Sequence, residues 1–260
     1  MKKLLSILFV LAVAAGLWAC GPAGEKSADD GVRFVVGFDA EFAPYGFLDG
    51  DEYKGFDLDL AREVCRRRGW TFVAHPLAWD AKDEALESGA VTCIWNGFTM
   101  QGREDDYEWT PAYVDNSQVV LVLADSALRT LGDVVGRNVG VQVDTPVLET
   151  LQPGGDCAEF GASLASLHEF PTCNDAVAAL ENGAVDAVAM DIGVAKQKMS
   201  DRPGAFRLLD EAVMTETYGI GFKKGNAELR DQVWATYQEL LADGTVATLA
   251  AQYGVDGVIR

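Results

Sequence analysis

Arg103 lies four residues after Thr99 in the run Thr99-Met100-Gln101-Gly102-Arg103. A guanidinium fork can take a carboxylate through two parallel hydrogen bonds, and a threonine hydroxyl can donate a third. Thr145-Pro146 has the form of a helix N-cap followed by proline at the first helical position, which leaves backbone N–H groups free to meet an anion. Asp191 ends the apolar run Val185-Asp186-Ala187-Val188-Ala189-Met190 and offers a negative charge to an ammonium group. One carboxylate clamp and one anionic partner together describe an α-amino acid. Phe42 and Trp79 are placed to wall its side chain, because small-molecule pockets are mostly apolar with a few polar groups. Each residue also has a plainer role. Arg103 can pair with Glu104, Asp105 or Asp106 at the surface, where such pairs contribute little. A single Asp, Asn or Thr at a strand end serves as a cap or turn, and either aromatic can belong to the core.

The elements that must position these residues alternate β-branched runs with helical patterns, which predicts an α/β fold. Arg33–Phe38 reads as a buried strand ending at Asp39, Thr71–Ala74 as a second, and Val91–Trp95 as a third running into Asn96-Gly97-Phe98-Thr99. Leu58, Ala61, Val64 and Cys65 share one helical face, stopped by Gly69, and Lys82–Ser88 is a shorter helix. In the second half Asn138–Val143 is a strand ending at Asp144-Thr145-Pro146. Asn174–Asn182 is a helix closed by Gly183, and Val185–Met190 is a strand. Val119–Leu123 and Tyr218–Phe222 are extended, and Ala227–Asp243 is a long helix. Asp39, Asn96–Thr99, Thr145 and Asp191 therefore fall just past strand carboxyl ends, the edge at which open α/β sheets bind ligands.

Composition narrows the partners. The chain has 260 residues, with 21 Lys+Arg against 40 Asp+Glu and a net charge of −19. Phosphate binding needs clustered Lys and Arg, so nucleic acid is excluded as the main partner. A hydrophobic fraction of 49% excludes wholesale disorder. Met1-Lys2-Lys3 followed by the apolar run to Leu17 is the layout of a signal peptide over residues 1–19, too short to span a bilayer comfortably. Leu17-Trp18-Ala19-Cys20 resembles a bacterial lipobox. It predicts lipidation of Cys20 and a polar tether over 20–30, so the exported protein would meet the outer face of the cytoplasmic membrane only through its lipid anchor. Cys65, Cys93, Cys157 and Cys173 allow two disulfides or four buried thiols. Their spacing fits no metal site, and no cofactor motif is present.

Gly55-Phe56-Asp57-Leu58-Asp59-Leu60-Ala61-Arg62-Glu63-Val64-Cys65 resembles the signature of bacterial extracellular solute-binding proteins, family 3, the polar amino-acid receptors of ABC importers. The likeness continues in Phe38–Tyr45, Trp95–Thr99, Gly140–Thr145, Val185–Asp191, Tyr218–Gly221 and Asp243–Thr245, and covers about residues 31–254. The resemblance implies a two-lobed periplasmic-binding-protein type II fold with the ligand cleft between its lobes. Lobe 1 would take residues 31–123 and 216–260, and lobe 2 residues 124–215, with crossings near Leu123 and Thr215–Tyr218. By position, Arg103, Thr99 and the Thr145 backbone would hold the ligand carboxylate, and Asp191 and the Gly97 carbonyl its ammonium. Phe42 and Trp79 would sandwich the side chain, with Asp39, Glu41 and Asn96 reading its polar end. The loop to Arg103 is one residue shorter than the family's Thr-x-Thr-Pro-Glu-Arg, and Asp144 stands where a glycine is usual, so that with Asp39 and Glu41 it would give the pocket a negative rim. The implied function is a monomeric, non-enzymatic receptor delivering a polar L-amino acid, basic or neutral, to a permease and its ATPase. The alternatives are a receptor for a membrane-bound sensor and a cyclohexadienyl-dehydratase-like enzyme, for which Glu41 is the candidate acid–base group.

Overall fold

The structure, a computed structural model, describes residues 31–260. The signal peptide, Cys20 and the tether fall outside the described residues. β1 (Arg33–Phe38) sends Phe34, Val36 and Phe38 into one core and Val35 into another, the period-two division that a pleated strand imposes. A small antiparallel meander follows, made of β2 (Glu41–Phe42), β3 (Gly46–Asp49) and β4 (Glu52–Lys54). It leads to α1 (Phe56–Arg68), which buries Asp57, Leu60, Ala61, Val64 and Cys65 at helical spacing. Arg66, Arg67 and Arg68 occupy its negative C-terminal end. Gly69 then takes φ 68°, and its N–H closes on the Cys65 carbonyl. A side chain is disfavoured in that left-handed conformation, which is why the helix stops there.

The chain continues through β5 (Thr71–Pro76), α2 (Lys82–Ser88), β6 (Cys93–Thr99), β7 (Glu108–Trp109) and β8 (Val114–Leu123). Next come β9 (Asn138–Gln142), α3 (Pro146–Leu151), α4 (Ala158–Ser163), β10 (Ser166–Phe170), α5 (Cys173–Glu181), β11 (Ala187–Asp191) and α6 (Ile192–Asp201). β12 (Phe206–Phe222), α7 (Ala227–Ala242) and α8 (Thr245–Tyr253) complete the fold. All of these lie within Val32–Arg260, a unit complete in its own contacts.

The main sheet runs β10-β9-β11-β8-β12-β6-β1-β5. At one end β1 pairs in parallel with β5 and β6, and at the other β9 pairs in parallel with β10 and β11. Parallel neighbours need crossover connections, which the helices supply. The two ends are joined by an antiparallel pair, β8 and β12, from Phe206–Leu123 to Tyr218–Val114, with the register shifting between Leu208 and Met214. β8 meets β11 from Gln118 onward, and β12 meets β6 from Tyr218 onward. One face of the sheet carries a core continuous across both ends, containing Phe34, Val64, Val188, Met190 and Ile220. On the opposite face the core divides in two. Val35, Trp79, Ile94, Phe98 and Trp109 serve one end, and Val120, Val139, Val141, Val147 and Ala189 the other.

Two expectations are corrected here. Asn96–Thr99 do not follow a strand but form the end of β6, because Phe98 and Thr99 pair with Gly219 and Tyr218. Tyr218–Phe222 is not a separate element but the end of a 17-residue strand that pairs along β8.

Candidate ligand-binding site

A cavity with about 300 Å³ of empty space, counting the part open to solvent, is walled by Phe42, Trp79, Asn96, Gly97, Thr99, Arg103, Gln142, Thr145, Pro146 and Asp191. These residues come from both ends of the sheet: β2, the turn before α2, β6 and its following loop on one side, and β9, the start of α3 and the end of β11 on the other. Eight of the ten residues expected to surround a ligand are in this wall, Asp39 and Glu41 being the exceptions. Gln142 and Pro146 are additions. Gln142 reads in sequence as an interior residue of the strand Asn138–Val143, a place that marks it for no ligand role.

Arg103 is 6% exposed. Its Nη2 donates to the Asp144 carbonyl at 2.9 Å and to Glu149 Oε1 at 2.7 Å, while its Nη1 is buried with no partner. The surface pairing with Glu104, Asp105 or Asp106 does not form. Asn96 is similar: Oδ1 accepts the Asp39 N–H at 3.0 Å, and Nδ2 is buried and unpartnered. Unmet buried donors are costly; Arg103 is the wall residue whose charge suits an anion, whereas Asn96 Nδ2 lies toward Gly46, where a β-carbon would stand 2.5 Å from it. Thr145 is the N-cap of α3 with Pro146 at its first turn, but its hydroxyl donates back to the Gln142 carbonyl at 2.7 Å rather than capping the helix.

Asp39 sits behind the wall. Its carboxylate accepts the Glu41 N–H and Gln142 Nε2, each at 2.8 Å, which uses both oxygens. Burial raises its pKa despite these hydrogen bonds. With Glu41, Trp79 and Asp80 it lines an adjoining, more open space of about 820 Å³.

At the opposite end of the cavity Asp191 is buried, and its Oδ1 accepts from Asn116 Nδ2 at 2.7 Å and from the Tyr218 hydroxyl. Asn116 Nδ2 also donates to Glu216 Oε1 at 2.5 Å, and Gln118 Nε2 donates to the same oxygen at 2.7 Å. Burial raises the pKa of both carboxyls, and the Asp191 charge raises that of Glu216 further. Both buried carboxyls therefore hold protons more tightly than exposed ones would. Asn116 and Glu216 lie on the joining strands, where alternation alone assigns them no special role.

Gly97 has φ 53°, and a β-carbon there would stand 2.9 Å from the Phe42 ring and 3.1 Å from Tyr218. Its N–H donates to Asp57 Oδ2 at 2.6 Å, and Asp57 Oδ1 accepts from the Tyr113 hydroxyl at 2.7 Å. Burial pushes Asp57 up to about 7. A carboxyl raised in the fold binds its proton more tightly there than in the unfolded chain, so its contribution is complete below about pH 4 and lost as pH rises through about 7. Asp57→Asn is expected to remove that slope, up to about 4 kcal/mol between the two limits. Urea midpoints of the two proteins at pH 4.5 and 7.5 check it, and parallel slopes would count against this role for Asp57.

Asp144 was expected to add negative charge at the ligand. Instead its carboxylate pairs with Lys82 and lies outside the cavity wall, so it is already neutralised. Cys65, Cys93, Cys157 and Cys173 all carry free thiols. Burial pushes Cys65 up to about 12 and raises Cys93 and Cys173, which makes them inert core residues.

Comparison with known proteins agrees with this geometry. The arginine-binding extracellular protein ArtP of Bacillus subtilis is 24% identical over 97% of this chain and 98% of its own. The histidine-binding periplasmic protein of Salmonella typhimurium is 28% identical over 97% of both chains. A solved structure of an ABC uptake transporter substrate-binding protein from Streptococcus pneumoniae with bound histidine aligns with TM-score 0.81 and 25% identity, over 85% of this chain and 92% of that one. The fold is thus the type II architecture of periplasmic binding proteins. The profile of bacterial extracellular solute-binding proteins, family 3, matches residues 34–256, and the chain belongs to that family of exported binding proteins.

Proposed function

We propose that this protein captures a polar L-amino acid, basic or neutral, in the cleft between its lobes and delivers it to the permease of an ABC importer. The observation that carries the reading is the placing of the unpartnered Arg103 Nη1 and the Asp191 carboxylate in one cavity wall, on opposite lobes. Arg103, Thr99 and the Thr145 backbone take the ligand carboxylate, and Asp191 with the Gly97 carbonyl takes the ammonium. Phe42 and Trp79 flank the side chain, which extends toward Asp39, Glu41 and Asp80 in the adjoining space. Three carboxyls there favour a cationic or neutral polar side chain over an acidic one.

Only closure lets one ligand reach both Arg103 and Asp191, so the ligand favours the closed form. Lobe 1 takes the chain up to β8 and from the end of β12, and lobe 2 the segment between. The sequence placed the first crossing near Leu123. We put it at Asn116–Gln118, where β8 begins to pair with β11, and keep the second at Thr215–Tyr218. The receptor works as a monomer held to the membrane by lipid on Cys20, and an importer permease with its ATPase receives the closed form.

A thermal-shift screen of residues 26–260 against the common amino acids plus cystine, ornithine and citrulline tests this. A ligand at a hundredfold excess over its dissociation constant adds about 2.7 kcal/mol of stability, a clear rise in melting temperature. Arginine, histidine, lysine, glutamine or cystine is expected to give the largest shift. A larger shift from glutamate or aspartate would contradict the side-chain assignment, and no shift from any of them would contradict amino-acid capture.

A further inference from the structure

Lys82 is an unusual residue to find on the first turn of α2: its side chain is 1% exposed, with Leu86, one turn on, also buried. Its Nζ lies 5.4 Å from the Trp79 ring centroid and 5.9 Å from that of Phe98. An ammonium desolvated to this degree is costly unless it is paired. The carboxylate near it on its own lobe, Asp83, is 3.7 Å away and largely exposed. Its close partner is Asp144, which follows β9 on the other lobe.

Asp144 is fitted to that task. It holds φ 55°, a left-handed conformation unfavourable for any residue with a side chain. In that conformation its carboxylate meets Lys82, while its carbonyl accepts Trp79 Nε1 at 3.1 Å and Arg103 Nη2 at 2.9 Å. One residue of lobe 2 thus satisfies three donors of lobe 1. Neither Lys82 nor Asp144 lines the 300 Å³ cavity, so the contact does not depend on what fills it. Other bonds that cross the cleft are the Arg103–Glu149 ion pair at 2.7 Å, whose carboxylate is nearly half exposed, the amide–carboxylate bond of Gln142 to Asp39, and the exposed bond of Asn174 to Glu41.

We propose that the Lys82–Asp144 ion pair is a latch that draws the lobes together without ligand, and that Asp144 is a positioning residue whose effect on affinity comes through the population of the closed form. The inference rests on the hinge reading above but not on the identity of the ligand. Opening the lobes strands a buried ammonium, so the pair raises the fraction of molecules already closed. Apparent affinity scales with that fraction.

Small-angle X-ray scattering of residues 26–260, stripped of ligand by unfolding and refolding, tests the latch directly. Wild type is expected to have a smaller radius of gyration than Lys82→Met or Asp144→Gly, and the double variant to be no larger than either single one. Met keeps the apolar stem between Trp79 and Phe98, and glycine suits the backbone at 144. Lys82→Met, which leaves no ammonium stranded, should therefore melt no lower than wild type while scattering as a more open particle, a combination that lost packing would not produce. Equal radii for all four proteins would overturn the latch, as would a double variant more open than both singles. With L-arginine as probe, the dissociation constant should rise about tenfold in each single variant, and by no more in the double. Failure of every form to bind L-arginine would count against that ligand alone, since the ligand-free scattering decides the latch by itself.

Discussion

Replacing Arg103 by alanine should weaken amino-acid binding at least a hundredfold and leave the fold standing. The guanidinium is the positively charged group in the wall of the 300 Å³ cavity, and its Nη1 has no protein partner. A ligand carboxylate supplies one, through a charge-assisted bond in a desolvated site, and removing one side of such a pair costs about 2–5 kcal/mol. The fold depends little on the side chain. Glu149, its ion-pair partner, is nearly half exposed and can turn to water. The bond from Trp109 Nε1 goes to the Arg103 carbonyl, which alanine keeps. Lysine at this position retains the charge without the fork, so it should recover part of the loss. Calorimetric titration of the three proteins with the ligand found by thermal shift, beside their urea midpoints, separates binding from stability. Unchanged affinity in Arg103→Ala would place the carboxylate elsewhere.

Much of this site was legible because its residues stand where apolar strands give way to polar side chains. Asp191 at the end of β11 and Thr145 after β9 announce themselves that way, and so does Asn96 within the last residues of β6. The alternation in β1 and the glycine stop after α1 are equally local, so those elements read correctly. What could not be read depends on contacts distant in sequence. Glu216 looks like a solvent-facing residue of a polar stretch, yet pairing of β12 with β8 brings it beside Asn116 and Gln118. Asp57 reads as an acidic residue favouring a helix start, and only the approach of Gly97 and Tyr113 shows that it fixes the site backbone. Asp144 was noticed for its charge but assigned to the ligand. Its partner, Lys82, had a faint signal in sharing a helical face with Leu86. β10, with the mixed run Ser166-Leu167-His168-Glu169-Phe170, is an edge strand whose residues are all at least partly exposed, so it lacks the continuous apolar run that marks β1 and β11.

The ammonium end should show its charge in a pH profile. Asp191→Asn keeps the shape of the side chain and the hydrogen bond to Asn116 but removes the negative charge, and affinity is expected to fall about a hundredfold. Wild-type binding should itself weaken toward acid. A bound ammonium stabilises the ionised carboxyl, so the pKa of Asp191 is lower in the complex than in the free protein. Affinity is therefore full above the free-state pKa and declines as pH falls through it. Burial beside Glu216 raises that free-state value, which brings the decline to a pH where the fold still stands. Asp191→Asn should bind weakly with little dependence on pH. Glu216→Gln removes the neighbouring carboxyl while its amide oxygen can still accept from Asn116 and Gln118. It should bind nearly as tightly as wild type at neutral pH, with the acid limb at the same pH or slightly higher, because hydrogen bonding from Glu216 lowers the Asp191 pKa. Tyr218 and Asn116 donate to Asp191, Tyr45 is buried nearby, and none of them changes charge over this range. Titrations from about pH 4 to 8 on the three proteins check the assignment. An Asp191→Asn profile parallel to wild type would mean that another group sets the pH dependence. Equal affinities at neutral pH would mean that the ammonium is held elsewhere in the cleft.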